Sequence, residues 1–241
     1  MKPYEVLSEI RAPDGTAMKL VRRGDEYIIL AGEKSLMSSR MHGSEEELAT
    51  LACQRARQLE RPRVLVGGLG MGFTLRATLD ALPPGARVVV AEIIPAVVEW
   101  NRGPVGPLAR EPLADRRVQV ETRDVAEALR SAQGDGAGSG FDAVLLDVDN
   151  GPSAFTTSGN DWLYGDRGLA AAHAALAKDG VLAVWSARED RKFEQRLRYA
   201  GFTVEARRVR GRSKSGGPWH TIFLAHKKAH QQGKKPGAKS W

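Results

Sequence analysis

A glycine-rich turn between a β-branched run and a helical pattern is the feature that most constrains how this chain can fold. Val64-Leu-Val66 leads into Gly67-Gly-Leu-Gly-Met-Gly72, and leucines then recur at helical spacing from Leu75 onwards. This order predicts a strand, a tight turn and the start of a helix. Glycine suits such a turn because it adopts positive φ and lets the backbone approach a ligand closely. The pattern indicates a nucleotide cradle, and a turn built for packing alone is the alternative.

A carboxylate stands at the end of the next predicted strand. Val88-Val-Val-Ala91 is followed directly by Glu92 and Ile93. A carboxylate in this position can accept hydrogen bonds from both hydroxyls of a ribose. The sequence therefore predicts an adenosine-type cofactor held by the following residues: Gly67, Gly68, Gly70, Glu92 and Ile93.

Two further predicted strands lead to aspartates. Val118–Glu121 is soon followed by Asp124 and Val125, and Ala143–Asp147 ends in Asp147 itself. This succession of acidic strand ends is typical of class I S-adenosylmethionine enzymes rather than of nicotinamide enzymes. It places Asp124 and Val125 at the adenine, and Asp147 at the reacting end of the cofactor. Capping of the helix that starts at Val125 is the alternative role for Asp124, and the two roles are compatible.

The composition fits one main α/β domain in a globular protein. Of the 241 residues, 42% are hydrophobic and 27% are charged, which is ordinary for a soluble protein. No apolar run is long enough to span a bilayer, and the N-terminus lacks the apolar core of a signal peptide. The single cysteine, Cys53, cannot form an internal disulfide and is expected to pack inside a helix, so a cytoplasmic location is predicted. We expect no metal site, because no cluster of His, Cys and acidic residues has a suitable spacing.

Basic residues give the chain a net charge of +7 and are concentrated in two segments. Residues 207–217 resemble a strand that leads into a flexible loop, and residues 227–241 carry five lysines and no acid. Neither segment interleaves aromatic residues in the manner of a stacking platform. A solvated face is therefore predicted for both, with a nucleic acid or another anionic partner as the alternative.

The patterns divide the chain into three parts. Residues 1–43 are predicted to form a small N-terminal β region with a hairpin at 17–37. Residues 44–228 are predicted to form a Rossmann-like cofactor-binding catalytic domain, and residues 229–241 a disordered basic tail. Within the main domain the further predicted elements are a helix at 44–59 opened by a capping box, a helix at 169–178 and an antiparallel hairpin of 203–209 with 221–225.

Several motifs resemble those of the polyamine aminopropyltransferases, the spermidine synthase family. They are Gly67-Gly-Leu-Gly-Met-Gly-Phe-Thr-Leu-Arg76, Ala91-Glu-Ile-Ile-Pro95, Asp115-Arg-Arg-Val118 and the run from Asp161-Trp-Leu-Tyr164 to Gly180-Val-Leu182. The similarity spans about residues 17 to 228. It implies a Rossmann-like class I S-adenosylmethionine-dependent methyltransferase fold with a short N-terminal β-hairpin domain and an antiparallel C-terminal hairpin. The implied cofactor is S-adenosylmethionine or its decarboxylated form.

The chain departs from the family pattern after the fourth strand of the main domain. Where the family has Asp-Ser-x-Asp-Pro-x-Gly-Pro, this sequence has Asp147-Val-Asp-Asn-Gly-Pro152, which is two residues shorter. Asp147 matches the first Asp of the family, which holds or deprotonates the attacking amine. No residue cleanly matches the second Asp, which grips the aminopropyl ammonium. The family also has a Tyr among the acids of its first long helix, whereas Met41–Thr50 has acids and no Tyr.

Acidic residues near these motifs would suit an amine acceptor. Asp147, Asp149, Glu45 and Glu46 are candidates for an acidic rim, and for the glutamates a favourable charge at a helix N-terminus is the alternative. The remaining candidates for the acceptor site are His42, Trp162, Tyr164, Trp219 and His220. Trp219 and His220 are expected in the loop between the last two strands. Packing of the aromatic rings and structural hydrogen bonding of the histidines are the alternatives.

Three functions follow from these observations. The first is methyl transfer from S-adenosylmethionine to a small-molecule acceptor, since a missing acidic gatekeeper removes a charge that would repel the donor's carboxylate. The second is aminopropyl transfer from the decarboxylated donor. The third is a non-catalytic binding protein that keeps the cofactor fold. The expected partner is a small-molecule acceptor, without a membrane or a nucleic acid, and a homodimer stays open.

Overall fold

The computed structural model describes residues 3–132, 140–148, 151–152, 160–212 and 216–227. Within these residues, two β-sheets and a set of helices form the fold. The strands are β1 (Glu5–Arg11), β2 (Ala17–Arg23), β3 (Glu26–Ala31), β4 (Lys34–Ser38), β5 (Arg63–Gly67), β6 (Arg87–Ala91), β7 (Val118–Glu121), β8 (Phe141–Leu146), β9 (Leu176–Ser186), β10 (Phe202–Arg210) and β11 (Trp219–Lys227). The α-helices are α1 (Gly43–Ala52), α2 (Phe73–Ala81), α3 (Pro95–Arg102), α4 (Val125–Ser131), α5 (Asn160–Tyr164), α6 (Asp166–Ala175) and α7 (Arg191–Tyr199).

The larger sheet has the strand order β10-β11-β9-β8-β5-β6-β7 in the described part of the chain. Strands β5 to β9 run parallel, whereas β11 pairs antiparallel with both β9 and β10. The chain order reverses between β5 and β8, which opens a crevice at the carboxyl ends of these strands. The predicted Rossmann-like methyltransferase fold with its antiparallel C-terminal hairpin is thereby confirmed.

The central strands are buried on both faces. Val64 and Val66 pack with one set of helices, which includes α1, α2 and α3, and Leu65 packs with the set that includes α4, α6 and α7. A continuous apolar strand of this kind is what a parallel sheet covered on both sides requires. Cys53 is fully buried, as expected, and burial raises the pKa of its thiol to about 12. It therefore packs as a small apolar side chain and presents no thiolate.

The N-terminal region forms its own antiparallel sheet of order β1-β2-β3-β4. The predicted hairpin is β2 and β3, in which Met18 pairs with Ala31 and Arg23 pairs with Glu26. Strands β1 and β4 extend it on either side and were not predicted, because their side chains are mostly exposed or half-buried and do not alternate cleanly between apolar and polar.

Four local predictions were wrong. The helix predicted at 44–59 ends at Ala52, and only a short 3-10 helix (Ala56–Gln58) follows before β5. The capping box at Ser44 does not form, because His42 is the residue before the helix and the Ser44 hydroxyl donates to Glu45 instead. The helix predicted at 169–178 ends at Ala175, since Leu176 already pairs with Phe141 as part of β9. Trp219 and His220 open strand β11 rather than lying in the preceding loop.

No helix among the described residues is long and apolar enough to cross a membrane. The predicted tail at 229–241 lies outside the described residues.

Candidate cofactor and acceptor site

Backbone hydrogen bonds join three strand ends at the crevice. The amide of Asp147 donates to the carbonyl of Gly67 over 2.9 Å, and the amide of Gly68 donates to the carbonyl of Ala91 over 2.9 Å. The glycine turn after β5 is thus fixed to the end of β6 on one side and to the end of β8 on the other. Any ligand held by this turn lies next to Asp147.

The glycines are required by the chain itself. Gly68 has φ +88°, and a Cβ there would lie 2.3 Å from the carbonyl oxygen of Asp147. A Cβ on Gly67 would lie 2.7 Å from Cγ2 of Val125. Two reasons were predicted for these glycines, positive φ and close approach of a ligand. The φ of Gly68 confirms the first, and the contacts show that the backbone after β8 and the start of α4 already exclude a side chain at Gly68 and Gly67.

Gly70 brings the N-terminal sheet into the site. It has φ +51°, and a Cβ there would lie 3.0 Å from both the sulfur and the methyl carbon of Met37 in β4. The sulfur of Met37 also accepts a hydrogen bond from the amide of Met71 over 3.2 Å. On the other side, the side-chain amide of Asn101 donates to the carbonyl of Gly70 over 2.8 Å. The turn is therefore braced from both sides.

Glu92 is held by the backbone of the same turn. One carboxylate oxygen accepts from the amide of Leu69 and the other from the amide of Ile94, each over 2.9 Å, and only 7% of the residue is exposed. A carboxylate oxygen has a second lone pair, so Glu92 can also accept from two ribose hydroxyls. Ile93 is 48% exposed beside it and offers an apolar surface to an adenine ring. These residues fit an adenosine-type cofactor.

Asp124 and Val125 take different positions at the end of β7. Asp124 caps α4, accepting a hydrogen bond from the amide of Ala126 over 2.8 Å. It remains partly exposed, which keeps contact with an adenine compatible with capping. Val125 is buried and packs beneath Gly67. Its side chain supports the turn from below.

Asp147 is joined to α2 by a short hydrogen bond. The hydroxyl of Thr74 donates to the Asp147 carboxylate over 2.5 Å. Burial raises the pKa of Asp147 to about 6, and the Thr74 hydrogen bond opposes that rise because it stabilises the charged form. A carboxyl group with this pKa is ionised over most of the neutral range and can still take up a proton.

Glu45, in the first turn of α1, faces the same carboxylate. It is 7% exposed and accepts a hydrogen bond from the Ser44 hydroxyl over 2.6 Å. Burial and the charge of Asp147 raise the pKa of Glu45 to about 8. Two neighbouring carboxyl groups in a desolvated site share charge, so near neutral pH the pair carries about one negative charge.

His42 and Glu46 complete the α1 side of the site. The His42 ring stacks on Phe73, with centroids 4.1 Å apart and an angle of 14° between the planes. Its Nδ1 lies 2.9 Å from a carboxylate oxygen of Glu46. Phe73 and Thr74 are the first two residues of α2, so one helix start contacts both His42 and Asp147.

Trp162 and Tyr164 lie elsewhere. Tyr164 is buried against Phe193 of α7, and its hydroxyl donates to the carbonyl of Val148 over 3.3 Å. The guanidinium of Arg130 in α4 lies 4.6 Å from the centre of the Trp162 ring. Both rings therefore pack with the helices on the other face of the sheet, and the Tyr164 hydroxyl bonds to the backbone that follows Asp147. Asp149 lies outside the described residues.

His220 is half-buried near the start of α1. Its ring lies 4.7 Å from that of Trp185, and burial lowers its pKa. The amide of Gly43 donates to the carbonyl of Gly211, whose backbone lies beside the His220 ring. Trp219 lies on the opposite face of the same strand, because successive side chains of a strand alternate.

Sequence reasoning missed Thr74 as a partner of Asp147. The signal was a hydroxyl residue at the helix start directly after the glycine turn, at the carboxyl edge where Asp147 was expected. Its contact could not be derived, since it depends on how closely α2 and β8 approach. In the described part of the chain, no three His, Cys, Asp or Glu side chains cluster as metal ligands.

Known structures share this fold. Spermidine synthase from Thermotoga maritima matches with a TM-score of 0.69 at 18% identity, covering 92% of this chain and 72% of that one. A spermidine synthase in complex with the transition state analogue AdoDATO matches with a TM-score of 0.67 at 17% identity over the same shares of 92% and 72%. Human methyltransferase-like protein 13 in complex with SAH matches with a TM-score of 0.58 at 21% identity, covering 79% of this chain and 84% of that one. The likeness to spermidine synthases is thus established for the fold. No protein-family model and no curated protein matches the sequence.

Proposed function

We propose that this chain is an S-adenosyl-dependent transferase that moves a methyl group from S-adenosylmethionine to a small-molecule amine held at Asp147. The proposal rests on one observation: two carboxylates in different environments lie at one edge of the sheet. Glu92 is fixed by backbone amides as a hydroxyl acceptor, and Asp147 lies next to the same glycine turn with a raised pKa. Matching structures of the same fold include two spermidine synthases and a protein in complex with SAH.

The residues divide the work between cofactor and acceptor. When bound, the cofactor supplies an electrophilic carbon attached to a sulfonium sulfur. The backbone of the turn at 67–70 and the Glu92 carboxylate would hold it, with Ile93 and Asp124 at the adenine. Asp147 would accept the N–H of the acceptor and take its proton, so that a neutral nitrogen faces the donor. Thr74 keeps the Asp147 carboxylate in place for that contact.

The charge at the acceptor side favours a single ammonium group. Because Asp147 and Glu45 together carry about one negative charge near neutral pH, they balance one positive charge and not two. Glu45 protonated on one oxygen also remains a hydrogen-bond donor. An amine with one reactive nitrogen fits this pair.

Replacing Glu92 by Ala should weaken cofactor binding strongly. The change removes two hydrogen bonds from ribose hydroxyls to a carboxylate and also releases the amides of Leu69 and Ile94, which hold the turn. We expect a loss of about 2–4 kcal/mol in the binding free energy of S-adenosylmethionine, measured by calorimetry. Glu99→Ala is the matched control, since Glu99 is an exposed acid of α3 paired with Arg102. Unchanged affinity in Glu92→Ala would remove the cofactor assignment.

The choice of donor separates methyl from aminopropyl transfer. Since the second family Asp is missing, intact S-adenosylmethionine is expected to bind at least as tightly as the decarboxylated donor. Calorimetry with both donors, together with mass analysis of products from a panel of amines, measures this directly. The matched variant is Asn150→Asp, which restores an Asp–x–x–Asp spacing after Asp147 and should shift preference towards the decarboxylated donor. A strong preference of the unmodified chain for the decarboxylated donor, with spermidine formed from putrescine, would establish aminopropyl transfer instead.

A further inference from the structure

The hairpin of β10 and β11 extends beyond the edge of the parallel strands at the cofactor side. Thr221 of β11 pairs with Ser186, the last residue of β9. Trp219 and its partner Arg210 therefore lie two residues past that edge, where the carboxyl ends of the strands also place the glycine turn. This surface belongs neither to the cofactor site nor to the Asp147 and Glu45 pair.

An exposed tryptophan lies among arginines at this end of the hairpin. Trp219 is 45% exposed. The guanidinium carbon of Arg210 lies 3.8 Å from the ring centre, and that of Arg208 lies 4.9 Å from it. The three side chains share one face because Arg210 pairs with Trp219 and Arg208 pairs with Thr221. Strand pairing thus places an aromatic ring among the arginines of residues 207–217. In the linear sequence, no aromatic residues are interleaved with this segment.

The arginines retain capacity for an anion. Arg208 lies 3.5 Å from a carboxylate oxygen of Glu189, and both side chains are exposed, so water and ions can compete for that pair. Arg210 donates to the carbonyl of Gly217 over 3.3 Å, and no carboxylate partner is found for it among the described residues. A guanidinium stacked on an aromatic ring keeps its N–H edge free for phosphate oxygens.

We propose that Trp219, Arg208 and Arg210 form a binding surface for single-stranded nucleic acid. A base would stack on the exposed part of the Trp219 ring, while the two guanidinium groups bind adjacent phosphates. A single strand fits better than a duplex, since a duplex keeps its base faces stacked inside. The net charge of +7 favours the encounter with any polyanion, and the tryptophan adds the preference for bases.

A second basic surface supplies a control for charge alone. Arg61, Arg87, Arg116 and Arg117 line a cleft of about 460 Å³ that has no aromatic residue. It lies at the opposite ends of β5, β6 and β7, away from the hairpin. Arg87→Ala with Arg116→Ala removes two charges there, as Arg208→Ala with Arg210→Ala does at the hairpin.

The test compares strands with and without bases. Fluorescence anisotropy is measured with a labelled strand of about a dozen nucleotides and an abasic strand of equal length. Trp219→Ala is expected to weaken binding of the normal strand about tenfold and to leave the abasic strand unaffected. Arg208→Ala with Arg210→Ala should weaken both strands and lower the salt slope by about 1.4. The cleft variant and Tyr199→Ala, which removes an aromatic that is 89% exposed, should keep the preference for bases.

Several results would overturn the proposal. They are equal affinity of the unmodified chain for normal and abasic strands, equal affinity for a duplex, or a mononucleotide bound as tightly as the strand. Trp219→Leu, which keeps an apolar side chain at the hairpin, replaces Trp219→Ala if that variant melts early. If Trp219→Leu kept the preference for strands with bases, the tryptophan would not be the residue on which a base stacks.

Discussion

Asp147→Asn is expected to lower turnover by about 10²- to 10⁴-fold, with much less effect on cofactor affinity. The amide keeps the shape of the side chain and its hydrogen bond with Thr74, but it cannot take up a proton from the acceptor. Single-turnover rates and calorimetric affinities, measured on the same preparation, separate the two effects. A variant with full turnover would remove Asp147 from the chemistry.

The dependence of activity on pH tests the role of Asp147 in the unmodified chain. Because the pKa of Asp147 is raised to about 6, activity should rise as pH increases through about 6. Thr74→Val removes the hydrogen bond that stabilises the carboxylate, so the pKa of Asp147 should rise further. The acidic limb of the pH profile, where activity rises with pH, should then move to higher pH. A limb that stays in place in Thr74→Val would show that another group controls the profile.

Glu45→Gln is expected to stabilise the protein at alkaline pH. The folded chain holds the pKa of Glu45 at about 8, above its ordinary value of 4.5. The folded state thus keeps a proton that the unfolded state releases, so this contribution to stability is complete below about pH 4.5 and is lost as pH rises through about 8. Gln stays neutral at every pH and keeps a hydrogen-bond partner for Ser44. The free energy of unfolding at pH 9 should increase by on the order of 2–4 kcal/mol.

Urea denaturation at pH 5 and pH 9 measures this difference. The variant should have a flatter dependence of unfolding free energy on pH than the unmodified chain. Glu46→Gln is the control, because Glu46 is a more exposed neighbour that contacts His42, and it should change either value by less than about 0.5 kcal/mol. Parallel pH curves for Glu45→Gln and the unmodified chain would contradict the raised pKa. Residues that reduce stability in this way are typical of functional sites.

The strand ends were predictable from sequence because their signals are local. The glycines at 67, 68 and 70 and the acids Glu92, Asp124 and Asp147 stand at or within three residues of the end of an apolar strand pattern, and parallel strands bring their carboxyl ends to one edge. The pairing of Glu45 with Asp147 was anticipated only as an acidic rim. Its burial depends on how α1 lies over the sheet, which no local pattern encodes.

Contacts between distant segments account for the other differences. A tyrosine can line a pocket or lie in a core, and the sequence around Tyr164 does not distinguish the two. The packing of α5 against α7 places Tyr164 in the core. Trp219 is separated in sequence from Arg208, so its position among arginines follows from the strand register alone. The hairpin was predicted, but not the register that pairs these residues.

The contact between Gly68 and the carbonyl of Asp147 has an evolutionary consequence. The glycine turn and Asp147 are joined through backbone atoms, so exchanges of side chains elsewhere leave their relative position unchanged. Under the proposed function, acceptor preference would instead depend on side chains such as that of Glu45 at the start of α1. Under that function, lineages that carry this scaffold would acquire new acceptors by substitutions on the α1 side of the crevice, while binding of the donor would be inherited unchanged.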